Sequence, residues 1–125
     1  MKGTAFNFFA FAAVCVLVGM LWGIHMAASG DHSMSGAHAH LNLVGWVTMG
    51  LFGVYYTLTP HAAATRLAGI HFWIAALGVV LLVPGIAMAT TGGTEIVAIL
   101  GSFVTLASML VFVYTVFRNG LGARA

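Results

Sequence analysis

The stretch that decides the fold is Ala5 to Ala27, AFNFFAFAAVCVLVGMLWGIHMA, which contains no Asp, Glu, Lys or Arg. A helix that crosses the hydrocarbon core of a bilayer needs about 20 mainly apolar residues. Three further runs meet that requirement, and the breaks between them are rich in Gly, Ser and Thr. The sequence therefore predicts a four-transmembrane-helix bundle with spans at about 5–27, 38–58, 67–90 and 95–117.

The composition of the whole chain agrees with this prediction. Of its 125 residues, 62% are hydrophobic and only 5% are charged, whereas a soluble domain has about 25% charged residues. We therefore expect one domain, residues 1–125, in contact with the lipid bilayer. Six charged side chains are too few for a nucleic-acid-binding stripe. The single Cys15 excludes an intrachain disulfide.

The charged residues predict the orientation of the chain. All basic residues fall on one side of a four-span protein and both acidic residues on the other, and the positive-inside rule assigns the basic side to the cytoplasm. We therefore expect both termini in the cytoplasm of a bacterial inner-membrane protein, with the first run kept as a span rather than removed as a signal peptide. The basic residues are Lys2, Arg66, Arg118 and Arg124, and the acidic ones are Asp31 and Glu95.

Two histidines at the start of the second span are the main chemical signal. An ionisable residue in a membrane span indicates a functional site by default, because it costs free energy without a partner. At 3.6 residues per turn, positions two apart point about 200° apart, so His38 and His40 cannot readily chelate one small ion. They can serve two sites, one on each side of the helix. That arrangement suits heme, which packs between helices and takes axial imidazoles.

Gly45 and Trp46, further along the same span, are candidate cofactor-binding residues. A glycine leaves room for the close approach of a helix or a ring, and the indole is a candidate wall of a heme pocket. The outer surface around the junction of spans one and two holds a second candidate, a copper site of imidazole and thioether ligands. Its proposed ligands are His25 and His32, with Met26, Asp31 and Met34 nearby.

The stretch HAHLNLVGWVTMGLFGVYYTLTP, from His38 to Pro60, resembles the tenth transmembrane helix of subunit I in heme–copper oxidases. It is most similar to the C-type cytochrome oxidases and the related nitric oxide reductases. His71-Phe72-Trp73 likewise resembles the start of the following helix. The resemblance implies that His38 is an axial ligand of the high-spin heme and His40 of the low-spin heme, and that His71 has a supporting or packing role.

Subunit I in that family has twelve helices in three similar groups of four, and this chain resembles one third of it, the last group. It has no counterpart of the helices that carry the copper-ligating histidines. Closed symmetry is the usual arrangement of homo-oligomers, so we expect a trimer that reproduces the twelve helices. Each interface would then receive His38 from one copy and His40 from its neighbour.

The leading interpretation is a membrane b-type cytochrome that binds heme b and exchanges electrons with a quinol or a cytochrome. Bis-imidazole ligation leaves no open iron position, which favours an electron carrier over a complete oxidase. The alternative is a heme, or heme–metal, site with an open position that binds or reduces oxygen or nitric oxide. Handling of heme or copper at the outer surface, and a helical bundle without a cofactor, are two further alternatives.

Overall fold

The computed structural model describes residues 1–125 and is all-helical. Four helices are long and apolar enough to cross a membrane, which confirms the predicted helical architecture and is consistent with contact with lipid. Each covers its predicted span, except that Glu95 precedes the last helix. The helices are α1 (Gly3–Ser29), α2 (Ser35–Leu58), the short α3 (Pro60–Ala63), α4 (Arg66–Thr90) and α5 (Ile96–Asn119).

Helix α2 is not α-helical throughout. Its first part, Ser35–His40, is α-helical, and Leu41–Thr48 is π-helical before the α-helix resumes at Met49. The hydroxyl of Thr48 donates to the carbonyl of Leu43 (2.8 Å), five residues earlier, which matches the π-helical spacing. This wider segment begins directly after His40. Segments of this kind frequently occur at functional sites.

The long helices form two antiparallel pairs, α1 with α2 and α4 with α5, and glycines allow each pair to approach closely. A Cβ at Gly53 of α2 would lie 3.0 Å from the carbonyl oxygen of Ala5 in α1. In the other pair, a Cβ at Gly85 of α4 would lie 2.5 Å from the backbone nitrogen of Ala98 in α5. The contacts in both pairs therefore involve backbone as well as side chains.

An aromatic cluster joins the two pairs, with members from all four spanning helices. They are Phe8 of α1, Phe52 and Tyr56 of α2, His71 of α4 and Phe112 of α5. Ring centroids are 4.9 Å apart for Phe8 and His71, and 4.5 Å apart for Phe52 and Phe112. Because these rings come from every spanning helix, the cluster ties the bundle together across its two pairs.

The end of the bundle that carries both chain termini, here called the terminal end, is closed by hydrogen bonds. The hydroxyl of Tyr55 donates to the carbonyl of Gly120 (2.8 Å), and His61 Nε2 donates to the carbonyl of Asn119 (3.2 Å). These bonds satisfy carbonyls at the end of α5 that have no partner within the helix. The antiparallel order places Asp31 and Glu95 at the opposite end.

Candidate functional site

His38 points from α2 toward α1 and is half-buried. Its Nε2 donates to the carbonyl of Gly19 (2.9 Å), and its ring lies edge-on to Trp22 with centroids 6.0 Å apart. A Cβ at Gly23 would lie 3.3 Å from Nε2, so this glycine leaves the space that the ring occupies. The side-chain amide nitrogen of Asn42 also lies near Nε2, at 3.3 Å. The shorter contact, to the Gly19 carbonyl, requires a donor because a carbonyl oxygen only accepts; it therefore places the proton on Nε2 and the lone pair on Nδ1, and a protonated Nε2 does not accept from Asn42.

His40 is exposed, and its hydrogen bonding is the reverse of that of His38. Its Nδ1 donates to the carbonyl of Gly36 (2.8 Å), one turn earlier in the same helix. The lone pair is therefore on Nε2, which has no partner within the chain. Metal-ligating histidines usually have this arrangement, with the second ring nitrogen held by a carbonyl or carboxylate. The structure thus places one imidazole against α1 and leaves the other accessible.

Gly45 and Trp46 lie in different surroundings. Gly45 is buried against α1, where a Cβ would lie 2.9 Å from the Sγ of Cys15, so the missing side chain serves a helix contact. Trp46 is half-buried and edge-on to Phe9, with centroids 6.1 Å apart. It lines a groove of about 350 Å³ together with Phe9, Val47, Gly50, Leu51 and Val54. Their roles in cofactor binding stay predictions.

The candidate copper ligands are divided between the end of α1, which carries His25, and the loop that follows it, which carries His32. His25 and His32 are exposed, and His32 Nδ1 lies 3.3 Å from the carbonyl of Gly30. The carboxylate of Asp31 accepts from the backbone amide of Ser33 (3.0 Å), and this hydrogen bond lowers the pKa of Asp31 below its usual value. The structure contains no group of three or more His, Cys, Asp or Glu side chains that could hold a metal ion.

The structure also reveals a buried polar pair that the sequence did not identify. The His71 side chain is 0% exposed, its Nδ1 lies 2.9 Å from the hydroxyl of Tyr56, and its Nε2 has no partner. Phe52 is the nearest ring, with centroids 4.6 Å apart. The resemblance implies a supporting or packing role for His71 and does not indicate Tyr56 as its partner. No local pattern signals the pair, because its members lie 15 residues apart on separate helices.

Comparisons of the chain with protein-family models, with curated proteins and with solved structures give no match. The resemblance to subunit I of the heme–copper oxidases therefore rests on the motif residues of α2 and α4 alone.

Proposed function

We propose that this protein is an integral membrane b-type cytochrome, in which His38 and His40 are axial ligands of heme b. The observation that carries the proposal is the arrangement of His40. Its imidazole is exposed, its Nδ1 is held by the carbonyl of Gly36 (2.8 Å), and its Nε2 lone pair is free. An unpaired polar group in a membrane span costs free energy, and a metal ion removes that cost. Heme bound there would supply single-electron transfer.

His38 fits an axial role on the other side of α2, although its ring is held differently. Ligation through Nε2 requires the ring to leave the carbonyl of Gly19, which it contacts at 2.9 Å. Nδ1, in contrast, already carries the lone pair. The absence of a side chain at Gly23 leaves room next to the ring for either arrangement.

The placement of the two rings also supports a homo-oligomer. Each copy offers His40 on an open surface and His38 on the other side of the same helix, so a single copy leaves both ligands incomplete. A closed ring of three copies is our preferred assembly, because it would reproduce the twelve-helix arrangement of the family that the motif resembles. Each interface would hold one heme between His40 of one copy and His38 of the next.

The positive-inside rule supports an inner membrane protein with the terminal end in the cytoplasm, because all four basic side chains lie there. The redox partner on this proposal is a quinol or a cytochrome. A quinol would reach the heme through the bilayer, whereas a cytochrome would reach it from the membrane surface.

The visible spectrum of the detergent-purified protein tests the heme proposal. We expect sharp low-spin bands in the reduced protein that do not change with carbon monoxide, since two imidazoles fill both axial positions. His40→Ala and His38→Ala should each abolish these bands. His61→Ala, at the terminal end, is the matched control and should leave them unchanged. A protein without heme after expression with ample heme would contradict the proposal.

A second candidate is favoured by the hydrogen bond of His38. If Nε2 stays on the carbonyl of Gly19 and Nδ1 does not bind iron either, heme on His40 keeps one open iron position and is able to bind or reduce oxygen or nitric oxide. In that case carbon monoxide shifts the spectrum of the reduced protein. His38→Ala then retains heme, whereas His40→Ala loses it, so the same variants separate the two functions.

The trimer is tested by the mass of the protein in detergent with bound heme. We expect three times the chain mass of 13.0 kDa. Heme retained on a monomer would exclude ligands shared between copies, while leaving a heme site within one copy open to the spectral test.

A further inference from the structure

A polar cavity of about 190 Å³ lies at the terminal end, between the start of α4 and the end of α5. We call it the basic pocket, and it is lined by Thr65, Leu67, Tyr114, Thr115, Arg118 and Asn119. Only two of these six residues are hydrophobic, whereas five of the six that line the groove beside Trp46 are. The basic pocket thus differs in chemistry from the apolar groove on the side of the bundle.

Two donors in the basic pocket are uncommitted. The hydroxyl of Thr65 donates to the carbonyl of Ala62 (2.8 Å), and that of Thr115 donates to a carbonyl of its own helix (2.8 Å). The side-chain amide of Asn119 donates to the carbonyl of Thr115 (2.9 Å). The guanidinium of Arg118 and the hydroxyl of Tyr114, in contrast, make no hydrogen bond within the chain. The side chains that remain available to a ligand are therefore a permanent cation and a phenol.

No acidic side chain of the protein balances the charge of the basic pocket. The chain has only two acidic side chains, Asp31 and Glu95, and both lie at the opposite end of the bundle. The other three basic side chains belong to the terminal end, as Arg118 does. An anion bound beside Arg118 would therefore meet a positive potential and no competing carboxylate side chain.

We propose that the basic pocket binds the phosphate headgroup of an anionic phospholipid. Arginine pairs with phosphate through parallel charge-assisted hydrogen bonds, and basic pockets between membrane helices are known sites for anionic headgroups. A lipid is favoured over a free anion because Arg118 stands beside a large apolar surface. The Phe117 side chain is 87% exposed and that of Tyr114 54% exposed, and both are suited to contact acyl chains.

This inference does not rest on the heme proposal. Native mass spectrometry of the detergent-purified protein would measure binding of phosphatidylglycerol, which is anionic, against phosphatidylcholine, which is zwitterionic. We expect wild type to retain phosphatidylglycerol preferentially. Arg118→Gln should weaken this binding about fivefold, from the typical contribution of one arginine to lipid attraction. Arg118→Lys should keep most of it, because the charge is retained.

Arg124→Gln is the matched control, because it removes the same charge from the terminal end but lies outside the basic pocket. It should leave binding within twofold of wild type. Equal weakening by Arg118→Gln and Arg124→Gln would show general attraction and overturn the site, as would no weakening by either. Displacement of the lipid by millimolar inorganic phosphate would show a free-anion site and would overturn the lipid assignment.

Discussion

At His38 and His40 the hydrogen-bond partner decides which ring nitrogen is free. The carbonyl of Gly19 places the proton of His38 on Nε2, whereas the carbonyl of Gly36 places that of His40 on Nδ1. The two imidazoles are only two positions apart, yet they present different nitrogens on different sides of α2. For this reason, His40 is the stronger ligand candidate in the isolated chain.

His71 and Tyr56 form the second residue-level feature with a measurable consequence. Tyr56→Phe removes the hydroxyl that lies 2.9 Å from His71 Nδ1 and leaves a second ring nitrogen buried without a partner. We expect a loss of about 1 kcal/mol in the free energy of unfolding, since hydrogen bonds within membrane proteins contribute modestly. Reversible unfolding in mixed detergent micelles would measure it.

Tyr114→Phe is the control for that substitution, because the Tyr114 hydroxyl has no partner within the chain. Its effect should stay within about 0.5 kcal/mol. His71→Phe combined with Tyr56→Phe should cost less than the sum of the single changes, because both remove the same bond. Strict additivity would show that the pair does not contribute through this hydrogen bond.

At the level of the helices, close packing depends on particular glycines rather than on glycine content. Gly85→Ala would place a Cβ 2.5 Å from the backbone nitrogen of Ala98, and neither helix backbone can easily move away. We expect a loss of about 1–3 kcal/mol in unfolding free energy, as for other overpacked positions. Unfolding in mixed micelles again provides the measurement.

Gly69 provides a matched control in the same helix. It lies within α4, its φ is not positive, and a Cβ there would meet no atom within 4 Å. Gly69→Ala should be neutral or should stabilise the helix by up to about 1 kcal/mol, because alanine has the higher helix propensity. Similar losses for Gly69→Ala and Gly85→Ala would mean that α4 and α5 do not pack as described.

For the whole molecule, the arrangement of the helices places both termini at one end and the first loop at the other. In a Cys15→Ala background, Lys2→Cys and Ala125→Cys should react with a membrane-impermeant thiol reagent from the same side of the membrane. Ser33→Cys, in the first loop, should react only from the opposite side. Labelling of the two terminal cysteines from different sides would contradict the four-span topology.

The same labelling tests the proposed orientation separately. Reaction of the two terminal cysteines in inverted vesicles, but not in intact cells, would support a cytoplasmic terminal end. The reverse pattern would overturn the orientation but not the fold. The two outcomes are distinct because the fold determines only that the termini share a side, whereas the basic residues are the basis for choosing which side.

The sequence by itself determined the four helices and the opposed directions of His38 and His40. Hydropathy over about 20 residues reports the length of a span, and helical periodicity reports direction along one element. Both are local properties, so no knowledge of neighbouring helices is needed. The four spans also place all four basic residues at the same end of the bundle, because an even number of spans separates them.

Only the tertiary structure decided which contacts these residues make. Gly45, expected to leave room for another helix or for a ring, packs against Cys15 of α1. The partner of His38 lies 19 residues away and that of His71 lies 15 residues away, each on another helix. The π-helical segment was equally hidden, because a uniformly apolar run carries no mark of its hydrogen-bond spacing. These contacts depend on how the helices pack, because packing brings together residues that are far apart in the sequence.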